Sequence, residues 1–104
     1  EYRDVMAKYA PDADANSSYT AGGYQIGKLM LAVLADAAEL DGGLNRVNVM
    51  NAAWTVDTEV PMGPEGARAT LDWTNDPVWR EQVQLMEYRD GKGLIQVGDV
   101  ISTK

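Results

Sequence analysis

Residues 20–40 constrain the fold of this chain more than any other stretch, because a helix drawn over them is apolar on almost every side. Thr20 predicts the N-cap of this helix, and the pair Gly42-Gly43 predicts its end. A helix apolar on nearly all sides is buried on more than one side. The apolar positions are Tyr24, Ile26, Gly27, Leu29, Met30, Leu31, Val33, Leu34 and Ala38.

Two shorter helices are predicted on either side of the long one. Residues 2–10 carry an apolar stripe at three- and four-residue spacing, and Pro11 ends this helix because proline disfavours helical backbone at the residue before it. Residues 44–54 predict a third helix. We expect Tyr24 and Trp54, which lie on apolar helix faces, to be core residues. The apolar side of the third helix consists of Leu44, Val47, Met50 and Trp54.

The C-terminal part of the sequence predicts three strands. In residues 67–72, Ala67, Ala69 and Leu71 alternate with polar residues, which is the pattern of a half-buried strand. Residues 82–89 and 94–101 predict the two strands of a hairpin around a turn at 89–93. A further turn is predicted at 75–77, where the sequence reads Asn-Asp-Pro.

The predicted elements do not make a self-sufficient domain. A length of 104 residues allows one domain at most. Three short strands offer too little surface to cover a helix that is apolar all round, and a hairpin on its own is marginally stable in water. The sequence therefore favours a single segment, residues 1–104, of a larger α/β protein, or else an obligate oligomer.

Composition excludes several kinds of chemistry. The chain has no Cys and no His, so thiolate catalysis, imidazole catalysis and Cys- or His-based metal sites are excluded within it. A net charge of −7 argues against a nucleic-acid-binding surface. We expect no enzymatic activity, no metal and no cofactor. The most apolar stretch, residues 29–35, is too short to cross a bilayer, which takes about 20 residues.

Four local patterns in the sequence are candidate functional sites. Residues 12–16 resemble the start of a calcium loop but lack its later glycine and glutamate, so a solvated loop is the better interpretation. The glycosylation sequon at 16–18 has no supporting context. Asp57 and Glu59 would serve hydrolysis only if they faced each other across a cleft. Tyr19 lies at the junction of a loop and the long helix, where an aromatic ring can stack on a ligand.

Three stretches of the sequence resemble one protein family in its order and spacing. Residues 19–30 resemble the long helix of type I periplasmic solute-binding proteins of ABC importers, in their branched-chain amino-acid-binding branch. Residues 43–53 resemble a helix of that family, with Asn45 where Thr is usual and Val47 where Glu is usual. Residues 81–93 resemble a strand and turn of the family, and Asp76 stands where the family has an aspartate before that strand.

The resemblance implies a fold and a function. The chain would be the C-terminal segment of a two-lobed protein, forming part of a flavodoxin-like lobe. The complete protein would bind a small polar solute, such as an amino acid, by closing its lobes, and would deliver it to the membrane subunits of an ABC importer. It would lie outside the bacterial cytoplasm, in the periplasm or as a membrane-anchored lipoprotein. In the family an aromatic residue just before the long helix contacts the solute, and Tyr19 stands at that position.

Two other interpretations remain open. The chain could be a small α+β interaction or regulatory module that oligomerises through its apolar helix. It could also be a small enzyme subunit whose site another chain completes. Under the leading interpretation as well, we expect the isolated chain to self-associate, because the apolar face of the long helix needs a partner surface.

Overall fold

The structure is a computed structural model that describes residues 1–72, 74 and 82–102, so the turn predicted at 75–77 lies outside the described residues. The described part is a mixed α/β chain of three helices followed by short antiparallel strands, as the sequence predicted. The helices are α1 (Tyr2–Tyr9), α2 (Ser18–Glu39) and α3 (Arg46–Trp54). The strands are β1 (Asp57–Glu59), β2 (Arg68–Thr70), β3 (Gln82–Val83), β4 (Met86–Arg89), β5 (Gly93–Gln96) and β6 (Ile101–Ser102).

The core lies where α2 packs on α3. Val33 and Ala37 of α2 and Ala52 of α3 form a buried cluster. Val49, Ala53 and Val56 pack against this cluster but are only partly buried. No described side chain larger than valine is buried as completely as these three residues, so the two helices approach closely while burying little apolar area.

The long helix begins two residues earlier than the sequence predicted. Ser17 precedes it in an extended conformation, and the carbonyl oxygen of Ser17 accepts the amide of Ala21 at 3.0 Å. Thr20 therefore lies inside α2, and its predicted role as N-cap is wrong. The helix ends at Glu39, and Gly42 follows with φ = +88°. The C-cap is Leu40 in an extended conformation, so the predicted glycine stop is wrong in its detail: the glycines lie in the loop after the helix, where the left-handed conformation of Gly42 costs glycine little.

Two asparagines hold the loop between α2 and α3. The Asn45 side chain accepts the amide of Asn48 at 2.9 Å, which caps the first turn of α3. The side chain of Asn48 is 8% exposed and donates to the carbonyl oxygens of Asp41 at 3.0 Å and Gly43 at 2.7 Å. The buried amide of Asn48 thus satisfies loop carbonyls that the helices leave unpaired.

The core-facing side of α3 differs from the predicted one. Asn48 and Ala52 are the buried residues of this helix, and Trp54 is only half-buried. The apolar side that the spacing predicted is exposed at Leu44, Val47 and Met50. Ala52 packs on the buried cluster of α2, and the Asn48 amide binds the loop carbonyls, so the larger apolar side chains of α3 lie outside.

Polar and aromatic contacts attach α1 to the rest of the chain, and no residue of α1 is buried. The rings of Tyr2 and Tyr24 lie 5.1 Å apart at 59°. The Tyr2 hydroxyl donates to the carbonyl oxygen of Ala15 at 3.1 Å, and the Arg3 guanidinium donates to Asn16 Oδ1 at 3.0 Å. Tyr24 is half-buried, so its predicted place in the core is wrong.

The hairpin of β1 and β2 covers part of α2. Its register pairs Asp57 with Thr70, Thr58 with Ala69 and Glu59 with Arg68. Ala67 and Ala69 are buried and Arg68 is exposed, so the predicted alternation is confirmed for this strand. Strand β1 was not predicted, because its three residues, Asp-Thr-Glu, are all polar and show no alternation of apolar and polar residues.

The two long strands predicted for the last hairpin are each broken in two. Strand β3 pairs with β6, and β4 pairs with β5. Gly98, with φ = +72°, interrupts the return strand. The Gln84 side chain interrupts the outgoing strand by donating to the carbonyl oxygens of Val97 at 3.0 Å and Gly98 at 3.3 Å. The predicted turn between β4 and β5 is confirmed.

The β4–β5 ribbon projects from the body of the chain. Every residue of β4 is exposed, and Tyr88, paired with Leu94, is 69% exposed. Among the described residues, β4 and β5 pair only with each other. A link to the rest of the chain is made by Gln96 Oε1, which accepts the amide of Glu65 at 3.4 Å.

The chain exposes more surface than a folded protein of its size. Its accessible surface is 7707 Å², whereas a compact monomer of 11.3 kDa exposes about 5,700 Å². Its radius of gyration is 16.3 Å, against about 13 Å for a compact domain of this length. The chain thus exposes about 2,000 Å² more than a compact chain of this length.

Candidate functional site

Tyr19 lies in the first turn of α2, not before the helix as predicted. Its side chain is 92% exposed. Within the described part of the chain, its ring and hydroxyl make no hydrogen bond or ring contact. The side chain is therefore free to meet another molecule or another part of a larger protein, and its loss would cost the fold of this chain little.

A groove lies between α2 and the connection of β1 to β2 and is here called the hairpin groove. Its volume is about 730 Å³, within the range of about 300–1,000 Å³ that is usual for small-molecule sites. The Gln25 side chain fixes one wall by donating to the carbonyl oxygen of Pro61 at 2.7 Å. Tyr19 does not line it. The lining residues are Glu1, Lys28, Leu31, Ala32 and residues 58–67.

An ion pair stands at one side of the hairpin groove. Lys28 Nζ lies 2.8 Å from Glu1 Oε1, and the Tyr24 hydroxyl donates to the same oxygen at 3.1 Å. The hydrogen bond from Lys28, and then that from Tyr24, hold the pKa of the Glu1 carboxyl below its ordinary value. The hydrogen bond to Glu1 raises the pKa of the Lys28 ammonium. Both groups therefore stay charged at neutral pH, and the groove can offer a cation and carboxylates to a polar solute.

A second groove is entirely apolar and is here called the apolar groove. It measures about 220 Å³. Its walls come from α2 and from the inner face of the β1–β2 hairpin, so it continues the small core outward. The lining residues are Ile26, Leu29, Met30, Val33, Val56 and Ala69. A surface of this composition binds apolar side chains of a polypeptide better than a charged solute.

Asp57 and Glu59 are not arranged for acid–base catalysis. Residues two apart on a strand point to the same face, so these carboxylates stand side by side on β1 rather than across a cleft. Asp57 Oδ1 lies 2.7 Å from Arg68 Nε in an exposed ion pair. The arrangement is that of a solvated strand face.

The loop that resembles a calcium loop is held by local hydrogen bonds. Asp14 Oδ1 accepts the amide of Asn16 at 2.9 Å, and Asn16 Oδ1 accepts from Arg3. In residues 1–72, 74 and 82–102, no group of three acidic side chains could hold a metal ion. The solvated-loop interpretation therefore describes this segment.

Sequence reasoning missed the hairpin groove. Two signals were present: Lys28 is the one cationic residue in α2, and the Pro- and Gly-rich stretch 61–66 must turn sharply. A Cβ placed on Gly63 would lie 2.9 Å from Val60 Cγ1, so the turn leaves no room for a side chain there. The two signals lie far apart in sequence, and only the fold brings them together.

No helix among the described residues combines the length and the apolarity needed to cross a membrane. Comparison of the chain with protein-family models, with curated proteins and with solved structures gave no match.

Proposed function

We propose that this chain is one segment of a type I solute-binding protein that delivers a small polar solute, such as an amino acid, to an ABC importer. The proposal combines the three sequence resemblances with one structural observation. That observation is the exposed surface of about 2,000 Å² beyond what a compact chain of this size shows. A segment whose helices pack on a sheet made by other polypeptide would leave such a surface when it stands alone.

The apolar groove is the part of this surface that a missing layer of the lobe would cover. It lies between α2 and the buried face of β2, where Ala69 is 1% exposed. A β-sheet adjoining β1 and β2 would lay its apolar side chains into this groove. Helix on sheet is the layer arrangement of α/β lobes.

Tyr19 is the residue assigned to the solute. It lies in the first turn of α2, it is exposed, and it makes no contact that the fold of this chain requires. In a closed two-lobed protein, its ring would cover the apolar part of the solute, since an aromatic side chain offers a large rigid surface at low entropic cost. The polar contacts to the solute would come from the rest of the protein.

The experiment begins with the complete reading frame that encodes this chain. The encoded protein is purified and its melting temperature is measured with each of the twenty standard amino acids. A solute that binds raises the melting temperature by mass action. Tyr19→Ala should weaken that binding, whereas Tyr9→Ala, which removes another exposed tyrosine, should leave it unchanged. A protein that responds to none of the amino acids, in a reading frame of about 104 residues, would contradict the proposal.

A second candidate function is an interaction module that oligomerises through α2. The observation that favours it is the exposure of large apolar side chains along the helix, among them Ile26 and Leu31. A reading frame of about 340 residues or more with an N-terminal signal favours the solute-binding protein. A reading frame of about 104 residues favours the module.

A further inference from the structure

Three glycines inside α2, Gly22, Gly23 and Gly27, are not explained by the fold of this chain, and two of them, Gly23 and Gly27, share one face of the helix. Gly23 and Gly27 are exposed, and a Cβ built on either would meet nothing within 4 Å. Neither has a positive φ. Glycine is the poorest helix former apart from proline, so its presence at two successive turns weakens the helix without any packing benefit inside the chain. A surface that approached α2 closely from outside would supply such a benefit.

These glycines belong to a stripe along one face of the helix, here called the α2 stripe. It carries no Asp, Glu, Lys or Arg. Met30 is 52% exposed, and only Leu34 of the stripe is half-buried. Spacings of four, four, three, four and four residues keep the members on one face. They are Tyr19, Gly23, Gly27, Met30, Leu34 and Ala38.

The residues of the α2 stripe are ordered so that each large side chain lies opposite a small one when a second copy of the helix runs in the opposite direction. When two copies of the helix lie antiparallel, with a two-fold axis level with the midpoint between Lys28 and Leu29, Gly27 faces Met30 of the second copy. Gly23 then faces Leu34. In each facing pair one residue is large and the other is small.

The outermost pair follows the same rule, since Tyr19 faces Ala38 when the helices are close to antiparallel. The two central pairs are Gly27 with Met30 and Gly23 with Leu34. Measured along the helix, they lie within roughly 8 Å of the two-fold axis, so they stay in contact over a range of crossing angles. Each large side chain fills the space above a small one, which is how close packing is achieved between two surfaces.

We propose that α2 packs antiparallel on α2 of a second copy of this chain through the α2 stripe. A two-fold contact uses the same patch on both copies and requires that the patch be complementary to itself, as this stripe is. A stable dimer buries about 800 Å² on each partner, and this chain exposes about 2,000 Å² more than a compact one. The inference does not rest on solute binding, although two residues of the stripe also serve that proposal: Met30 lines the apolar groove, and Tyr19 is the residue assigned to the solute.

Sedimentation velocity of the 104-residue chain over a range of concentrations tests the contact. The parent chain should sediment as a dimer at high micromolar concentration. Gly27→Leu places a large residue opposite Met30 and should weaken the dimer at least tenfold. Gly22→Leu is the matched control: Gly22 also has open space around a Cβ but lies off the stripe, so this variant should remain dimeric. A monomeric parent chain, or a Gly27→Leu variant that dimerises like the parent, overturns the proposal.

A size exchange and a cross-link test the antiparallel register. Gly27→Met with Met30→Ala restores one large and one small residue in each central pair, so the double variant should dimerise better than Gly27→Met alone. The chain has no cysteine, so introduced thiols react without background. A mixture of Gly23→Cys and Leu34→Cys chains should form a mixed disulfide in preference to either homodisulfide. No rescue in the double variant, or preferred homodisulfides, would overturn the antiparallel pairing.

Discussion

Replacing Asn48 by alanine should destabilise the chain through the loop between α2 and α3. The substitution removes two donated hydrogen bonds, at 3.0 and 2.7 Å, and leaves the carbonyl oxygens of Asp41 and Gly43 without that donor. Each such bond contributes about 1 kcal/mol. The Gly43 oxygen keeps a longer hydrogen bond from Asn45 Nδ2 at 3.3 Å, whereas the Asp41 oxygen loses the donor at 3.0 Å, which adds to the loss. Alanine is a better helix former than asparagine, which offsets about 0.6 kcal/mol of the lost stability. We therefore expect the free energy of unfolding to fall by about 2 kcal/mol.

Urea unfolding at a fixed protein concentration measures this loss. The concentration is fixed because self-association also changes the apparent stability. Asn51→Ala is the matched control, since it removes an exposed asparagine from the same helix and should leave stability equal or slightly higher. Asn48→Asp keeps the size of the side chain but cannot donate, so it should lose at least as much as Asn48→Ala. If Asn48→Ala unfolds within about 0.5 kcal/mol of Asn51→Ala, the buried amide does not hold the loop.

Three further outcomes follow from contacts in the structure. In the complete solute-binding protein, Tyr19→Ala should weaken solute affinity by roughly 1–3 kcal/mol, the value of one large apolar side chain, and should leave the melting temperature of the free protein unchanged. The lowered pKa of Glu1 stabilises the attachment of α1 above pH 4.5, and this contribution is lost as the pH falls through the lowered value. The protection factors of the α1 amides, which correct for the intrinsic pH dependence of exchange, should therefore fall in acid, and Lys28→Met should reduce that fall. Gly42→Ala should cost about 1 kcal/mol because of its positive φ, whereas Gly22→Ala should gain about as much, which thermal unfolding of the two variants would measure.

Local patterns predicted the elements better than they predicted what the elements face. The apolar stretch of residues 20–40 located the longest helix to within two residues at its start and one residue at its end. The alternation around Ala69 located β2. The helix and this strand could be predicted because their patterns depend on neighbouring residues alone.

The orientation of α3 could not be predicted in the same way. Its spacing placed Met50 and Trp54 on an apolar side, yet the buried residues are Ala52, which packs on α2, and Asn48, which binds the loop. The choice depends on how closely two helices approach and on which loop carbonyls need a donor, and both are tertiary properties. The break in the last hairpin has a similar origin, since the Gln84 amide meets Val97 across the chain.

The candidate site was predicted only as a single residue. Tyr19 was identified, and the structure places it on an exposed turn of α2, away from the hairpin groove. The ion pair of Glu1 and Lys28 joins residues that are 27 positions apart. Pairs at that distance follow from the packing of α1 on α2, which the sequence pattern did not specify.

The β4–β5 ribbon has a consequence for how the chain opens in solution. Because its ladder is formed by two strands alone within residues 1–72, 74 and 82–102, its amides can exchange with deuterium by separating those strands, with no need to disturb α2 and α3. The amides of the α2–α3 cluster exchange only when the helices part. The chain should therefore show two populations of exchange rates, and a protease should cut first at the turn near Gly91. A partner that completes the ribbon would slow exchange there before it slowed exchange anywhere else.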